Sequence, residues 1–358
     1  MSDAEPRKGM PAVDLDHDTF RKRFLSHFYD PAFGPLAPEI DRATEIAWQA
    51  YKESRKAPRT RKAGPGFTDP DYDLSVEWIA ARDAIEAAAR MHADPEAPSR
   101  VLLINGSPRS EHTCPGEMSK SYRLMETALT IFRQTPGFIC DVLDLSHTTA
   151  EYGRHIHPCK ACFSTSPALC HWPCSCYPNH ALDQVNDWMN EIYPMWVAAH
   201  GILIVTPCHW YHAPTALKAM MDRLVCADGG NPDPTTTHGK NAAKAKQLEL
   251  DGWSYPRHLA GRVFAIVAHG DSAGVESLRR ALTDWLSDMQ LVPAGDAALL
   301  DRFIGYYRPY ATSHTDLDAD TATFEEVQNA ALTLIEAVRR MRAGVTEAGS
   351  ALPDPRPK

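Results

Sequence analysis

The segment Arg100-Val101-Leu102-Leu103-Ile104-Asn105-Gly106-Ser107-Pro108-Arg109 constrains this chain more than any other. Val101, Leu102, Leu103 and Ile104 form an unbroken apolar run, the pattern of a parallel strand covered on both faces. Gly106 and Pro108 stop the strand, and Ser107, Arg109 and Ser110 bring hydrogen-bond donors to the point where the chain emerges. Ser119-Lys120-Ser121 then precede a helical pattern of Leu124, Met125, Ala128, Leu129 and Phe132. A strand, a basic hydroxyl-rich turn and a helix N-terminus are the parts with which α/β proteins hold phosphate. The helix supplies unpaired N–H groups and the positive end of its dipole, and Ser and Arg side chains complete the shell. The segment therefore predicts a phosphorylated cofactor.

From residue 100 onward the pattern alternates. Strands are predicted at 101–105, 139–145, 201–206, 262–268 and 291–299, and helices at 120–134, 181–199, 214–226, 274–289 and 324–342. Five strands alternating with five helices specify a doubly wound α/β fold, a parallel sheet with helices on both faces. Two excursions interrupt it, 146–180 and 227–259; ordered loops of that length are more often functional or interfacial than accidental. Residues 1–98 read as a helical extension, with helices over 20–28, 40–51 and 76–91 and no strand signal. It is expected to pack on a neighbour or a second subunit, which makes a homo-oligomer the expectation. The basic run 52–62 reads either as a solvated linker or as a clamp for an anionic ligand. The cofactor domain is placed at 99–345, with a disordered tail at 346–358.

A formal charge of −9 argues against nucleic acid as a partner, because phosphate-backbone binding needs a surplus of Lys and Arg. Apolar stretches such as 202–205 are too short to span a membrane. The first six residues lack the apolar core of a signal peptide. The nine cysteines are therefore expected to be reduced and cytoplasmic, where clustering points to metal or redox chemistry rather than to disulfides.

In such sheets ligands bind outside the carboxyl ends of the strands, where strand order reverses. The third predicted strand leads into Thr206-Pro207-Cys208-His209-Trp210-Tyr211-His212-Ala213-Pro214. Pro207 ends the strand, and Pro214 suits the first turn of the next helix, where its missing N–H costs nothing. Between them stand three consecutive large rings, which either pack over the sheet edge or lie against a flat aromatic cofactor. The fourth strand ends in His269-Gly270-Asp271-Ser272-Ala273-Gly274, whose glycines allow close backbone approach to a ligand.

With Gly106-Ser107-Pro108-Arg109, Ser119-Lys120-Ser121, Thr206-Pro207-Cys208-His209-Trp210 and Pro214-Thr215-Ala216-Leu217-Lys218-Ala219-Met220-Met221-Asp222-Arg223, the chain resembles the NAD(P)H-dependent FMN reductases of the flavodoxin-like superfamily. The resemblance spans roughly 100–290 and implies a five-stranded flavodoxin-like sheet in the order 2-1-3-4-5. It also implies an FMN phosphate held by Ser107, Arg109, Ser119, Lys120 and Ser121. Pro207, Cys208, His209, Trp210 and Tyr211 would line the isoalloxazine. His269, Gly270, Asp271, Ser272, Ala273 and Gly274 would cover its other side. The chain departs from the family by inserting Glu111-His112-Thr113-Cys114-Pro115-Gly116-Glu117-Met118 between the first turn and its helix.

The second strong feature is Cys159-x-x-Cys162 followed by Cys170, Cys174 and Cys176, with His155 and His157 upstream. Iron–sulfur flavoproteins, related to that family, carry a compact cysteine motif here that binds a [4Fe–4S] cluster. This chain keeps the opening Cys-x-x-Cys, but Thr165 stands where their third cysteine falls. An iron–sulfur cluster, zinc, and inert or redox-active thiols are the readings open to these five residues.

Nucleotide P-loop, dinucleotide, zinc-protease and nucleophile-elbow signatures are absent from the sequence. Asp222 with Arg223, and Glu276 with Arg280, read as structural ion pairs. The expected function is an FMN-dependent oxidoreductase in which a nicotinamide reduces the flavin. Reduced flavin then serves a quinone, nitro or azo compound, or free flavin. No catalytic acid or base is assigned. The alternatives are an iron–sulfur electron carrier and a non-enzymatic flavin or thiol redox sensor.

Overall fold

The computed structural model describes residues 14–53, 59–110, 119–176, 187–305 and 312–345. The tail expected at 346–358 and the insertion at 111–118 lie outside the described residues.

The described residues begin with a helical hairpin, α1 (His17–Leu25) and α2 (Ala37–Lys52). Asp16 caps α1 by accepting the Thr19 N–H at 2.7 Å, and Phe20 packs its ring against Trp48 and Tyr51 of α2. A small antiparallel pair follows, β1 (Thr60–Lys62) and β2 (Asp73–Ser75). This corrects the expectation of no strand in the first 98 residues. All three β1 residues are exposed, so no apolar alternation marks them, and only pairing with β2 makes them a strand. In α3 (Val76–Ala93), Ile85 and Ala88 join the main core with Ile192 and Trp196, and Trp78 Nε1 donates to the Pro173 carbonyl at 2.9 Å. The extension is thus tied to its own chain's core through α3.

The central unit runs β3 (Ser99–Asn105), α4 (Lys120–Gln134), β4 (Phe138–Asp144), α5 (His147–Ala150), α6 (Met189–Ala198) and β5 (Gly201–Pro207). It continues through α7 (Thr215–Arg223), α8 (Val225–Gly229), α9 (Ala242–Leu250), β6 (Val263–Gly270) and α10 (Val275–Asp288). It closes with β7 (Val292–Pro293), β8 (Leu299–Phe303), α11 (Ser313–Ala319) and α12 (Thr321–Arg342). The sheet order is β4-β3-β5-β6-β7, with β8 also paired to β6 and every pairing parallel. That is the expected 2-1-3-4-5 path with its fifth strand broken, so the sheet has six strands rather than five. The break follows from Pro293, which has no N–H to donate to a ladder, and from the 3₁₀ turn Asp296–Ala298 between the two halves.

Period-two alternation divides the buried strands between two cores. Val101, Leu103 and Val205 face α4 and α12, against Phe132, Leu334 and Val338. Leu102, Ile104, Ile202 and Ile204 face α6, α7 and α10, against Trp196, Leu217 and Leu282. Among the described residues no helix is long and apolar enough to cross a membrane.

Candidate functional site

Three turns meet at the carboxyl ends of β3, β5 and β6. The first is set tightly against the second: the Gly106 N–H donates to the Val205 carbonyl at 2.8 Å. A methyl on Gly106 would lie 2.6 Å from Thr206 Oγ1 and 2.9 Å from Leu217 Cδ2, so only glycine fits. Asn105 Nδ2 donates to Asp144, and Asn105 Oδ1 accepts the Ser107 N–H at 3.1 Å. The Ser107 hydroxyl accepts the Arg109 N–H at 3.1 Å. Ser107 is therefore the turn's own brace, buried and bonded through both its N–H and its hydroxyl.

At the start of α4, Ser119 makes no side-chain cap. That end of the helix presents the positive end of its dipole, which suits an anion. Lys120 Nζ reaches the Ile304 carbonyl at 3.2 Å. The buried Ser121 hydroxyl lies 2.7 Å from His269 Nε2. Burial first, then the Lys120 and His209 charges, push His269 down to about 3, so it stays neutral and links the first turn to the third.

The second turn is a hairpin, with His209 and His212 exchanging backbone bonds at 2.9 and 3.0 Å. Its two central residues, Trp210 and Tyr211, have φ of 49° and 70°. Two successive left-handed residues belong to the tight turn type normally filled by Gly or Asn. For bulky side chains that backbone is strained. Trp210 is 91 % exposed and Tyr211 59 %, so the strain does not serve core packing. Trp210 projects outward, whereas the Tyr211 ring lies against Gly274 of the third turn. The third turn closes on the second through the Cys208 N–H to the His269 carbonyl at 2.7 Å. A methyl on Gly274, at φ 105°, would lie 2.7 Å from the Tyr211 Cα. The proton affinity of His209 is lowered by burial and by Arg109 of the first turn, and raised by Asp271 of the third. Charges from the two flanking turns therefore both act on the ring of the middle one. Where a flavin would lie, the rim offers an uncapped helix end, exposed rings and close-set glycine backbone, which is a fit. Ile304 and Asn105 also build this rim. Sequence reasoning missed both, because neither carries a signal beyond its apolar or polar type.

The model of the family described as NADPH-dependent FMN reductase matches residues 99–303. The chain belongs to this family. A curated relative, the iron–sulfur flavoprotein of Methanosarcina thermophila, is 30 % identical over 126 residues, 35 % of this chain and 52 % of the relative. The chain thus matches about half the length of that relative. Among solved structures, RosB with bound 8-demethyl-8-formylriboflavin-5′-phosphate aligns over 69 % of this chain and 82 % of its own, with 11 % identity and a TM-score of 0.45. An FMN-dependent NADH-azoreductase from Bacillus anthracis in complex with FMN aligns over 66 % and 99 %, with 15 % identity and a TM-score of 0.37.

The five loop cysteines do come together, and a sixth that sequence reasoning missed joins them. Cys159, Cys162, Cys170, Cys174, Cys176 and Cys226 of α8 line one cavity of about 10 Å³, with Arg223 and Lys240 in its wall. All the described cysteines are free thiols. That volume is room for about one water, and three cations, Lys160, Arg223 and Lys240, stand in the wall, where they favour thiolate over thiol. Among the described residues no three His, Cys, Asp or Glu side chains are arranged to hold a metal ion. An iron–sulfur cluster or zinc at Cys159, Cys162, Cys170, Cys174 and Cys176 is therefore not shown by this arrangement. Arg223 also departs from expectation: it pairs with Asp187 at 2.5 Å, both side chains 1 % exposed, while Asp222 pairs with Lys218. Glu276 and Arg280 pair on the surface at 2.7 Å, as expected.

Proposed function

We propose that the chain is an FMN-dependent NAD(P)H oxidoreductase passing electrons from a nicotinamide to a small acceptor of quinone, nitro, azo or flavin type. The observation that carries this reading is the joining of three turns at one sheet edge, by the Gly106 N–H to the Val205 carbonyl and the Cys208 N–H to the His269 carbonyl. The chemistry FMN supplies there is hydride uptake from a nicotinamide and electron release to the acceptor.

The chain's own part is binding and orientation. The uncapped start of α4 at Ser119, with Arg109 and Lys120, would hold the phosphate. Ser107 and Ser121 would act from behind, one bracing its turn and the other fixing the neutral His269. The backbone from Pro207 to Tyr211 would meet the ring edge, and the turn from His269 to Gly274 its other side. No side chain on this rim is needed as an acid or base for hydride transfer. Exposed rings of the α1–α2 segment, such as Tyr29 and Phe33, suit a homo-oligomer contact, and free thiols suit a reducing, cytoplasmic setting.

The test is the visible spectrum of the purified protein followed by NAD(P)H oxidation with menadione or ferricyanide. Flavin bands and turnover support the reading. Flavin without turnover would leave a redox sensor, and a colourless protein that takes up no FMN removes the reading altogether. The electron-carrier alternative draws on the iron–sulfur flavoprotein relative and on the gathering of six thiols around one cavity. Assay of iron and acid-labile sulfide after anaerobic purification decides between them.

A further inference from the structure

The six thiols are not equivalent. Cys170 and Cys226 are buried, and Cys170, Cys174 and Cys226 line only the inner cavity. Cys162 and Cys176 also open onto a larger pocket of about 300 Å³, walled by Tyr72, Leu74 and Trp78 on one side and by Pro234 and Lys240 on the other. Their sulfurs lie 3.4 Å apart. Lys240 is held beside them by its bond to the Leu169 carbonyl at 2.5 Å. The floor is rigid: His171 is 2.6 Å from the Ser175 hydroxyl and 2.9 Å from that of Thr237. Lys160 and Lys240 line this pocket, and among its described lining residues the one carboxylate is Asp73, which pairs with Lys62 at 3.1 Å. The pocket is therefore electropositive, with two vicinal thiols at its base.

We propose that Cys162 and Cys176 form a redox-active dithiol that exchanges with small disulfides bearing carboxylates, bound in this pocket. The hydrogen bond from the Cys176 thiol first, then Lys240, favour the thiolate on Cys162 against burial, which makes Cys162 the attacking group. Its sulfur attacks one sulfur of the substrate, the substrate S–S bond breaks, and the departing thiolate takes up a proton. Cys176, losing its proton, then attacks the mixed disulfide at Cys162 and releases the second substrate thiol. One disulfide becomes two thiols, and the protein dithiol becomes the Cys162–Cys176 disulfide by loss of the same two electrons. An external dithiol restores it by the reverse exchange. This step is independent of the flavin reading. Arg223, in the wall of the thiol cavity, stands at the far end of α7 from the hairpin, and a helix of nine residues is about 13 Å long.

The experiment takes the reduced, desalted holoprotein under argon and adds oxidised glutathione, with peptide mass mapping and thiol counting. Wild type should give the Cys162–Cys176 disulfide with two glutathione thiols released per chain. Cys176→Ser should stop with one glutathione on Cys162, and Cys162→Ser should give neither product. Cystamine, a cationic disulfide, should react about tenfold more slowly than oxidised glutathione, because the pocket's field disfavours it. Unreactive wild-type thiols, a disulfide that uses Cys174 in place of Cys162, or iron or zinc bound stoichiometrically by these thiols would overturn the proposal. Wild-type mapping reads the result even where a variant folds poorly. Equal rates for the two disulfides would overturn the carboxylate preference.

Discussion

His200 is held in one protonation state. The Arg100 N–H donates to its Nδ1 at 3.0 Å, so Nε2 carries the proton and donates to the His92 carbonyl at 3.1 Å. Burial first, then Arg342, lower its affinity for a second proton to about 4, and burial with Arg262 does the same to His92. Both rings titrate near 6.5 when unfolded, so between those values the unfolded chain binds more protons than the folded one. Stability is then complete above about 6.5 and is lost as pH falls towards about 4. Thermal melts across that window should show the midpoint dropping; a flat profile would contradict the neutral pair. Asp187→Ala should cost about 3–5 kcal/mol in a denaturant titration, because it strands the buried Arg223 guanidinium. A loss below 1 kcal/mol, on the order of a surface pair, would show that water reaches the site. The sequence offered Asp222 as the partner, yet adjacent residues on a helix do not face each other, and Asp187 arrives from a distant loop.

Elements with a strong period were legible to within a few residues. The amphipathic spacing of Leu124, Met125, Ala128 and Phe132 placed a helix at 120–134, and α4 runs from Lys120 to Gln134. The apolar runs of β3, β5 and β6 gave themselves away because both of their faces are buried. The hairpin from His209 to His212 was legible as a turn, but not as a strained one: positive φ at Trp210 and Tyr211 breaks the local rule that asks for Gly or Asn there. Strain retained at exposed rings suggests a functional return. Trp210→Gly should therefore stabilise the fold by about 1 kcal/mol while weakening FMN retention on a desalting column by several-fold. If stability and retention both fall, the turn is held by packing and not for the ligand.

Across the whole molecule, the C-terminal helix locks the link between extension and core. Arg342 on α12 donates to the carbonyls of Asp94, Pro95 and Ala97 and to the Ser99 hydroxyl, at 2.6 to 3.1 Å. Arg342→Ala leaves these acceptors without that partner and should cost about 1–3 kcal/mol, read as a lower melting temperature with the flavin spectrum unchanged. A loss of flavin at full stability would instead mean that the lock acts on the site. The sequence by itself determined the parallel α/β core and the rim where three turns emerge. Both follow from local periodicity and from the Gly and Pro residues that end strands, which act within a few residues of chain. Only the tertiary structure decided the six-strand count, the β1–β2 pair, the entry of Cys226 among the thiols and the division of that group into a buried set and an open pair. Those depend on which distant segments approach one another and how closely, and neither composition nor period encodes a distance.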